Sequence, residues 1–541
     1  MGAAFDVQEA VPPADSASPF LRATSSSRRT FAIISHPDAG KTTLTEKLLF
    51  ESGSIRLAGE VKARGERRRT RSDWMEIEQK RGISISSSVM TFEHEGLTMN
   101  LLDTPGHSDF SEDTFRTLTA VDSAIMVIDA AKGIESQTWK LFEVCRMRNI
   151  PIMTFINKVD REGREPLDLL DEIMDRLALD VAPLAWPVGM GVDFQGVLDL
   201  VGGQMVLPDG SPGAIRWTED SPLTKDPELR KDRIFGPSLE GLEIVRASLS
   251  SFDPVSYRDG HQTPVFFGSA LRNVGVRQLL HALAKHSPGP QPQPAAPEPI
   301  DPSDDEVSGF VFKVQANMDP NHRDRIAFVR LCSGRFTRGM KLKNVRSGRE
   351  LKVPNPMFFF ARERELAEEA VAGDIVGIPN HGTLSVGDTL TERIVRTVTG
   401  IPNFAPEIIR RVRILDTSKM KQLSKAMDDL SEEGVIQLFR PIIGSTWFVG
   451  AVGPLQFEVL VARAAAEYGV DVMLEASQFE TARWISSNDK EALERFAQAE
   501  RNSITEDRAG THVYFARNEW ELARTQRDWP DIEFWATRER G

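Results

Sequence analysis

Cysteine is scarce in this chain of 541 residues, which has only two, Cys145 and Cys332, far apart. So few thiols exclude a disulfide framework and a four-thiolate zinc site, and they are typical of a reducing cytosol. Long apolar runs are missing as well: no stretch of about 18 consecutive apolar residues occurs, which excludes a membrane-spanning helix. These absences predict a cytoplasmic protein with no membrane partner.

Positive charge is also in deficit, with 66 basic against 79 acidic residues and a net charge of -13. A protein that coats nucleic acid needs a broad cationic surface, so the overall charge argues against that class and leaves only a local basic patch open. Residues 1–28 lack the basic start and apolar core of a secretory signal, and we interpret them as a loose leader.

The residues that are present have ordinary globular proportions, 40% hydrophobic and 27% charged. At about 150 residues per domain, the length predicts three or four domains. Short apolar stretches that predict strands occur at 30–34, 99–102, 124–128, 152–156 and 265–267. Because helical patterns lie between several of them, we predict an α/β domain over 29–287 with a largely parallel sheet and helices on both faces. Residues 190–262 interrupt this rhythm and are interpreted as an insertion of unknown role.

Three further regions follow the α/β domain. Residues 288–305 are rich in proline and predict a semi-rigid linker. Residues 306–400 contain short strand patterns separated by Gly and Asn turns, which predict a β-barrel. Residues 401–541 mix a helix pattern with a strand–helix–strand unit at 447–474, which predicts an α+β (ferredoxin-like) domain. No internal repeat is visible in the sequence.

The segment 35–43 joins the first predicted strand to its helix and nearly matches a phosphate-binding loop. Gly40, Lys41 and Thr42 fit the pattern, while Ser35 replaces its first glycine. In such a loop backbone N–H groups surround the phosphate, the lysine neutralises it and the threonine hydroxyl ligates Mg²⁺. The alternative is a plain helix start after a turn, which the flanking strand and helix disfavour. The nucleotide-binding residues predicted here are Ser35, His36, Pro37, Asp38, Ala39, Gly40, Lys41, Thr42 and Thr43.

Three more motifs follow predicted strands. They are Asp103-Thr104-Pro105-Gly106, then Asn157-Lys158-Val159-Asp160, and then Ser269-Ala270-Leu271. Asp103 can hold the Mg²⁺ shell through water, and the Gly106 N–H can meet the γ-phosphate. The Asp160 carboxylate can accept from N1–H and N2–H₂ of guanine, a pair of donors that adenine lacks. The motif at 269–271 can present a backbone N–H to guanine O6. Together the motifs predict GTP or GDP binding over the competing ATP.

Two further features concern catalysis. Ser84 is the candidate for a hydroxyl that completes the Mg²⁺ shell, with Ser86, Ser87 and Ser88 as rivals. His107 is the candidate catalytic residue, because an imidazole one residue after Gly106 can hold an attacking water in line.

A basic run precedes these residues, namely Lys62, Arg64, Arg67, Arg68, Arg69 and Arg71. This run is either a solvated loop or a contact for a phosphate backbone.

The motifs together resemble the translational GTPases, a family that includes elongation factor G. The resemblance is carried by the phosphate loop, Asp73-Trp74-Met75, the stretch 81–85 (RGISI) and the stretch 103–107 (DTPGH). Segments 34–43, 315–325 and 401–407 resemble the peptide chain release factor 3 branch of the family. Most translational GTPases have threonine where Ser84 stands, but the hydroxyl is kept.

This resemblance implies a P-loop GTPase domain, a β-barrel domain and a C-terminal α+β domain. It implies a monomeric factor that uses GTP and Mg²⁺ on the ribosome, among ribosomal RNA and proteins, to remove class I release factors after the peptide is freed. It also implies that ribosomal RNA near His107 stimulates hydrolysis. One alternative is another elongation factor G-like or ribosome-protection factor. Such factors have additional C-terminal domains, so the roughly 140 residues after the barrel disfavour this alternative. A non-hydrolysing GTP-dependent scaffold is the other, which the intact Lys41, Thr42, Asp103 and His107 disfavour.

Overall fold

The structure is a computed structural model that describes residues 24–55, 84–218, 223–316, 325–360 and 364–539. The basic run at 62–71 and most of the leader lie outside these residues. Among the described helices, none is long and apolar enough to cross a membrane. Both cysteines are free and buried. Burial raises the pKa of each thiol to about 12, so neither is a nucleophile at neutral pH.

A ten-stranded sheet forms the N-terminal domain, in the order β2-β3-β1-β4-β5-β10-β6-β7-β8-β9. Its strands are β1 Arg28–Ser35, β2 Ser88–His94, β3 Leu97–Asp103, β4 Ser123–Asp129, β5 Ile152–Asn157, β6 Asp180–Val188, β7 Gly196–Asp199, β8 Gln204–Val206, β9 Pro212–Arg216 and β10 Gln262–Phe267. Six neighbouring strands are parallel to one another, namely β3, β1, β4, β5, β10 and β6. Strand β2 is antiparallel to β3. The predicted parallel sheet is therefore confirmed.

Helices cover both faces of this sheet. They are α1 Lys41–Glu51, α2 Ser111–Leu118, α3 Ser136–Met147, α4 Pro166–Leu177, α5 Pro227–Lys231, α6 Phe235–Ser248, α7 Pro254–Arg258 and α8 Val276–His286. Successive side chains of a strand point to opposite faces, so Phe31 and Ile33 pack in one apolar cluster while Ala32 and Ile34 pack in the other. Because both faces are buried, β1 is apolar throughout its centre, which is why its strand signal is strong.

The segment 190–262 extends the sheet instead of leaving it. Strands β7, β8 and β9 add an antiparallel edge next to β6, and α5, α6 and α7 follow before the chain returns to β10. These strands have only three to five residues each. Strands of this length lie at or below the lower end of the about four to eight residues over which alternation identifies a strand, so the sequence showed only an interruption.

A β-rich domain follows, built mainly on an antiparallel eight-stranded sheet in the order β16-β15-β21-β12-β13-β20-β17-β18. In this region β11, from the linker, pairs with β22, and β14 pairs with β19. The strands are β11 Ala295–Ala296, β12 Ser308–Ala316, β13 Arg325–Ser333, β14 Arg335–Thr337, β15 Lys341–Asn344, β16 Glu350–Lys352, β17 Met357–Phe359, β18 Arg364–Leu366, β19 Glu369–Val371, β20 Ile375–Pro379, β21 Thr389–Thr391 and β22 Thr397–Val398. This is the predicted barrel domain, in the form of a half-barrel.

Buried polar contacts join the first two domains. The Arg330 guanidinium pairs with the Asp122 carboxylate, and both side chains are about 1% exposed. The Gly373 carbonyl oxygen accepts from the Thr30 hydroxyl at 2.7 Å and from the Asn100 amide at 3.2 Å. The proline-rich segment takes part, since the Gln291 N–H donates to Asp122 at 2.9 Å. Its composition predicted a spacer, yet the segment packs along both domains it connects.

The C-terminal domain is one continuous eight-stranded sheet with four helices. Its elements are β23 Pro402–Phe404, β24 Ile408–Ile414, α9 Met420–Glu433, β25 Gln437–Pro441, β26 Phe448–Ala451, α10 Pro454–Tyr468, β27 Val472–Ala476, β28 Thr481–Ser486, α11 Lys490–Ala499, β29 Ile504–Asp507, β30 His512–Ala516, α12 Glu519–Asp528, β31 Glu533–Trp535 and β32 Thr537–Glu539. The strand order is β27-β24-β26-β25-β29-β30-β28-β31, and β23 pairs separately with β32. The predicted strand–helix–strand unit corresponds to β26, α10 and β27.

This sheet contains a structural repeat that the sequence did not show. The elements from β24 to β27 and those from β28 to β31 each follow the order strand, helix, two strands, helix, strand. In each unit the first strand lies between the third and the fourth, which is the ferredoxin-like arrangement. The fold therefore contains a repeat of topology although no repeat is visible in the sequence. A repeat of topology needs only similar apolar patterns, so the two units need not share residues.

Stability is expected to depend on the buried pair Asp122–Arg330. Asp122→Asn leaves the Arg330 guanidinium without its counter-charge, and breaking such a pair costs about 3–5 kcal/mol. The control is Asp175→Asn, an exposed position on α4, which should change stability by less than about 0.5 kcal/mol. Urea titration followed by tryptophan fluorescence measures both variants. Equal midpoints for the two would show that the pair does not hold the domains together.

Candidate nucleotide-binding site

The four predicted motifs lie at one edge of the parallel sheet. The segment 35–40 follows β1, Asp103 ends β3, Asn157 ends β5, and residues 269–271 follow β10. Parallel strands bring their carboxyl ends to the same edge, which is where ligands bind in open α/β sheets. The fold thus assembles residues from four separate parts of the sequence.

The loop between β1 and α1 has the backbone of an anion-binding turn. Gly40 has a φ of 99° and Asp38 a φ of 65°, both in the left-handed region. A Cβ on Gly40 would lie 2.2 Å from the Asn157 amide nitrogen, so only glycine fits. The side chains of Ser35 and His36 bind protein groups: the Ser35 hydroxyl donates to the His36 carbonyl, and the His36 imidazole lies 3.2 Å from Glu135. Their contribution to a ligand would therefore come from the backbone.

Asn157 connects three of the motifs. Its amide donates to the Ala39 carbonyl at 2.8 Å, and its side-chain oxygen accepts from the N–H groups of Lys158 and Ala270 at 2.9 Å each. The side chain is buried, so each of these bonds replaces one with water. Asn157 was predicted as a nucleotide-binding residue of the motif at 157–160, and in the structure its side chain holds the phosphate loop, its own loop and the loop after β10 together.

Lys158 lies along the phosphate loop. Its ammonium group donates to the Asp38 carbonyl and to the Asp129 carboxylate, the latter at 2.8 Å. Burial alone would raise the pKa of Asp129, but hydrogen bonds from Lys158 and from the Ala131 N–H hold that pKa below its ordinary value. Asp129 was not among the residues predicted from the sequence. The available signal was an acidic residue at the end of an apolar strand, the same signal that identified Asp103.

Asp160 is paired with a second residue that was not predicted from the sequence. Its carboxylate accepts from the Arg272 guanidinium at 3.3 Å, and its side chain is only 7% exposed. Arg272 directly follows the predicted motif at 269–271. The charge-assisted contact with Arg272 holds the Asp160 side chain in place in the loop after β5.

Lys41 and Asp103 meet on the phosphate side of the site. The Lys41 ammonium group pairs with the Asp103 carboxylate, and both side chains are buried. The Thr104 hydroxyl donates to the Ile33 carbonyl at 2.7 Å, which ties this motif to β1. A Cβ on Gly106 would lie 3.5 Å from Pro37, so the Gly106 backbone packs directly against the phosphate loop. Residues from the first two motifs therefore form one surface.

The serines that compete as Mg²⁺ ligands occupy different environments. The Ser87 hydroxyl contacts the Asp113 carboxylate and lies 2.7 Å from the Thr117 hydroxyl, and the Ser87 carbonyl accepts from Lys313 of the β-rich domain. These contacts make Ser87 a structural residue. Ser88 lies opposite Asp103 across the β2–β3 ladder. Ser84 is half-buried and lies four residues before β2 begins at Ser88. Its role as a Mg²⁺ ligand stays a prediction.

His107 begins a short helical turn at 108–110, and its side chain is 33% exposed. Its Nδ1 lies 3.0 Å from the Asp109 carboxylate and 3.2 Å from the Asp109 backbone nitrogen. The ring is also edge-on to Phe110. The imidazole is therefore held from the Nδ1 side.

Comparison with known families covers most of the chain. The model for the elongation factor Tu GTP binding domain matches residues 26–289, and the model for elongation factor G domain 2 matches 306–393. The model for the class II release factor RF3 C-terminal domain matches 398–526. One crystal structure of a protein from Thermus thermophilus superposes with a TM-score of 0.67 at 22% identity, covering 86% of this chain and 71% of that one. At that identity the likeness shows the shared fold.

The chain belongs to the translational GTPases: it binds guanine nucleotide and hydrolyses GTP. This confirms the three-part fold and the activity expected from the motifs. Within that family the C-terminal domain assigns the chain to the release factor 3 branch.

Gly40→Ala should abolish nucleotide binding, because the new methyl group would collide with the Asn157 amide and displace the phosphate loop. Gly53→Ala is the matched control, since Gly53 at the other end of α1 also has a positive φ, 76°, but has nothing within 4 Å of a built Cβ. We expect a loss of at least about 100-fold in affinity for a fluorescent GDP analogue in the first variant, about 3 kcal/mol. The control should cost about 1 kcal/mol of stability and leave affinity unchanged. Equal affinities would contradict the assignment of the loop.

Asp160→Asn should shift base preference from guanine to xanthine, because an amide N–H matches the xanthine carbonyl that replaces N2–H₂. The expected change in the ratio of GDP to XDP affinity is at least about tenfold, well within the range for a lost buried hydrogen bond. Glu162→Gln, an exposed change in the same loop, is the control. Competition titrations with both nucleotides measure the ratio, and an unaltered ratio would reject the role of Asp160.

Proposed function

We propose that this chain is a ribosome-stimulated GTPase of translation termination that promotes dissociation and recycling of class I release factors after peptide release. The proposal is carried by one observation: a release factor-type C-terminal domain contacts the His107 loop, which lies beside the nucleotide-binding motifs at the sheet edge. That contact is the Leu455 N–H donating to Asp109 at 2.8 Å. Its partners would be the ribosome and class I release factors, and it would act as a cytoplasmic monomer.

The nucleotide would lie on the surface made by the four motifs. Backbone groups of 35–43 and the Lys41 ammonium would hold its phosphates. Gly106 would contact the γ-phosphate and Asp160 the guanine edge, with Ser269, Ala270 and Leu271 beside it. The buried pair of Lys41 with Asp103 supports this placement, because it keeps a cation and a carboxylate at the phosphate end.

Mg²⁺ would be held by the hydroxyls of Thr42 and Ser84 and, through water, by Asp103. These residues fit the ion, since hydroxyl and carboxylate oxygens are the hard ligands that Mg²⁺ prefers and Asp103 is buried at the end of β3. When bound, the ion would neutralise charge on the β- and γ-phosphates. Ser88, opposite Asp103, is the alternative to Ser84.

His107 would hold the attacking water in line with the γ-phosphorus. Its Nδ1 side faces Asp109, which leaves Nε2 as the nitrogen available to a water. Positioning of this kind contributes through orientation and charge stabilisation. Ribosomal RNA would complete the arrangement, which explains why turnover should need the ribosome.

Two alternatives make different predictions. Another elongation factor G-like factor would hydrolyse GTP on ribosomes without any response to class I release factors. A GTP-dependent scaffold would bind GTP tightly and turn it over slowly under all conditions. The release factor-type domain at 398–526 favours the proposed function over both.

The decisive measurement is GTP turnover with empty ribosomes and with ribosomes carrying a bound class I release factor, together with release of that factor. If the proposed function is right, we expect multiple turnover and faster departure of the labelled release factor when GTP is present. Turnover without accelerated departure would support the first alternative, and absent turnover the second.

His107→Ala should leave nucleotide affinity unchanged and lower ribosome-stimulated turnover by about 10²–10⁴-fold, the usual range for a lost acid–base or water-orienting group. His261→Ala, an exposed histidine before β10, is the control and should retain full turnover. Single-turnover hydrolysis with saturating ribosomes reports the chemical step. Near wild-type rates in the first variant would remove His107 from the mechanism.

A further inference from the structure

Asp109 touches both the His107 ring and the C-terminal domain. One carboxylate oxygen lies 3.0 Å from His107 Nδ1, and the other accepts from the Leu455 N–H at 2.8 Å. Asp109 is buried, so both contacts are shielded from water. Leu455 lies 346 positions further along the chain. A single side chain thus joins the proposed catalytic loop to another domain.

The C-terminal domain is shaped to receive this carboxylate. Leu455 is the second residue of α10, and N–H groups of a first helical turn have no acceptor within the helix. Gly453 precedes the helix, and a Cβ there would lie 2.1 Å from the Asp109 carboxyl carbon. The neighbouring Phe110 packs with Ile85 and with Val459 of α10. The fit between the two domains is therefore close on both sides of Asp109.

His107 Nδ1 has two potential partners of opposite character. The Asp109 backbone N–H, at 3.2 Å, can only donate to it, whereas the Asp109 carboxylate, at 3.0 Å, can only accept. Both cannot be satisfied at once. A neutral imidazole that accepts from the N–H carries its proton on Nε2, and one that donates to the carboxylate leaves Nε2 with a free lone pair.

We propose that Asp109 is a positioning residue through which docking of the C-terminal domain selects the tautomer of His107. When the Leu455 N–H holds the carboxylate in place, the carboxylate accepts the Nδ1 proton, and Nε2 can accept a hydrogen bond from the water. When the C-terminal domain moves away, the carboxylate is no longer held beside Nδ1. The backbone N–H, which already lies 3.2 Å from Nδ1, is then the remaining partner, so the proton resides on Nε2, which can no longer accept. This inference rests on the proposed role of His107 in hydrolysis. In this form of regulation, the contact between Leu455 and Asp109 determines which nitrogen of His107 carries the proton.

Asp109→Asn tests the inference on the full-length protein. To accept from Leu455 the amide must turn its oxygen outward, so its NH₂ group faces Nδ1 and forces the proton onto Nε2. We expect kcat for ribosome-stimulated hydrolysis to fall at least about tenfold while KM for GTP stays within about twofold. Unchanged kcat would overturn the inference.

Leu455 separates the backbone contact from packing. Leu455→Pro removes the N–H, and proline is tolerated in a first helical turn. Leu455→Ala keeps the N–H and loses the side chain. Turnover of the alanine variant should exceed that of the proline variant at least about fivefold, and equal rates would contradict the proposal. If the proline variant does not fold, Gly453→Ala displaces Asp109 from the other side and should lower kcat in the same way.

Imidazole nitrogen NMR of ¹⁵N-histidine-labelled protein gives a readout that a merely structural role would not move. The His107 signals, assigned by their loss in His107→Ala, should indicate a protonated Nδ1 in the wild type and a protonated Nε2 in Asp109→Asn. The same tautomer in both would overturn the inference even if turnover had fallen. If His107→Ala retains turnover, the proposed function of His107 fails, while the tautomer comparison still decides whether Asp109 selects the proton position.

Discussion

The three hydrogen bonds of the buried Asn157 amide are the constraint on which the nucleotide site depends. They join the phosphate loop, the loop after β5 and the loop after β10, which come from parts of the chain more than 100 positions apart. Lys158 and Arg272 add further contacts between pairs of these loops, but the Asn157 side chain bonds to all three. The constraint also requires glycine at position 40, because a Cβ there would occupy the space of the Asn157 amide that reaches the Ala39 carbonyl. The loops that are proposed to bind phosphate and base are thereby joined through one side chain.

The contacts between domains combine ion pairs, hydrogen bonds and apolar packing. The first two domains share a fully buried ion pair and a carbonyl that accepts two hydrogen bonds, which makes relative motion costly. The C-terminal domain contacts the segments next to the nucleotide site through Asp109 and the apolar cluster around Phe110, and its Glu432 pairs with Arg325 of the β-rich domain at 2.7 Å. Ser87 is bonded on both sides: its backbone N–H donates to the Asp113 carboxylate of the first domain, and its carbonyl accepts from Lys313 of the β-rich domain. Burial alone would raise the pKa of Asp113, but the nearby charges of Lys313 and Arg116 and its bonds to Ser87 hold that pKa below its ordinary value. The segments next to the nucleotide-binding motifs are therefore in direct contact with both of the other domains.

The parts of the molecule that the sequence predicted share one property: their signal is local. β1, β4 and β5 are continuous apolar strands buried on both faces, and each nucleotide motif directly follows such a strand. The parts that it did not predict have weak local signals. Strands β7 to β9 are too short to show alternation, and the two ferredoxin-like units are similar only in the order of their elements. Asp129 had a local signal and was overlooked. Arg272 had none, since an exposed arginine in a loop acquires meaning only beside Asp160.

By itself the sequence determined the class of the nucleotide site, because a phosphate loop and the motifs that accompany it need particular residues at fixed spacing from a strand end. It also determined the order of the three domains. Only the tertiary structure decided which side chains bind across domain boundaries: Arg330 with Asp122, Lys313 with Ser87, and Asp109 with both His107 and Leu455. The physical reason is that such contacts join residues hundreds of positions apart, and their energy comes from burial and geometry that no local pattern encodes.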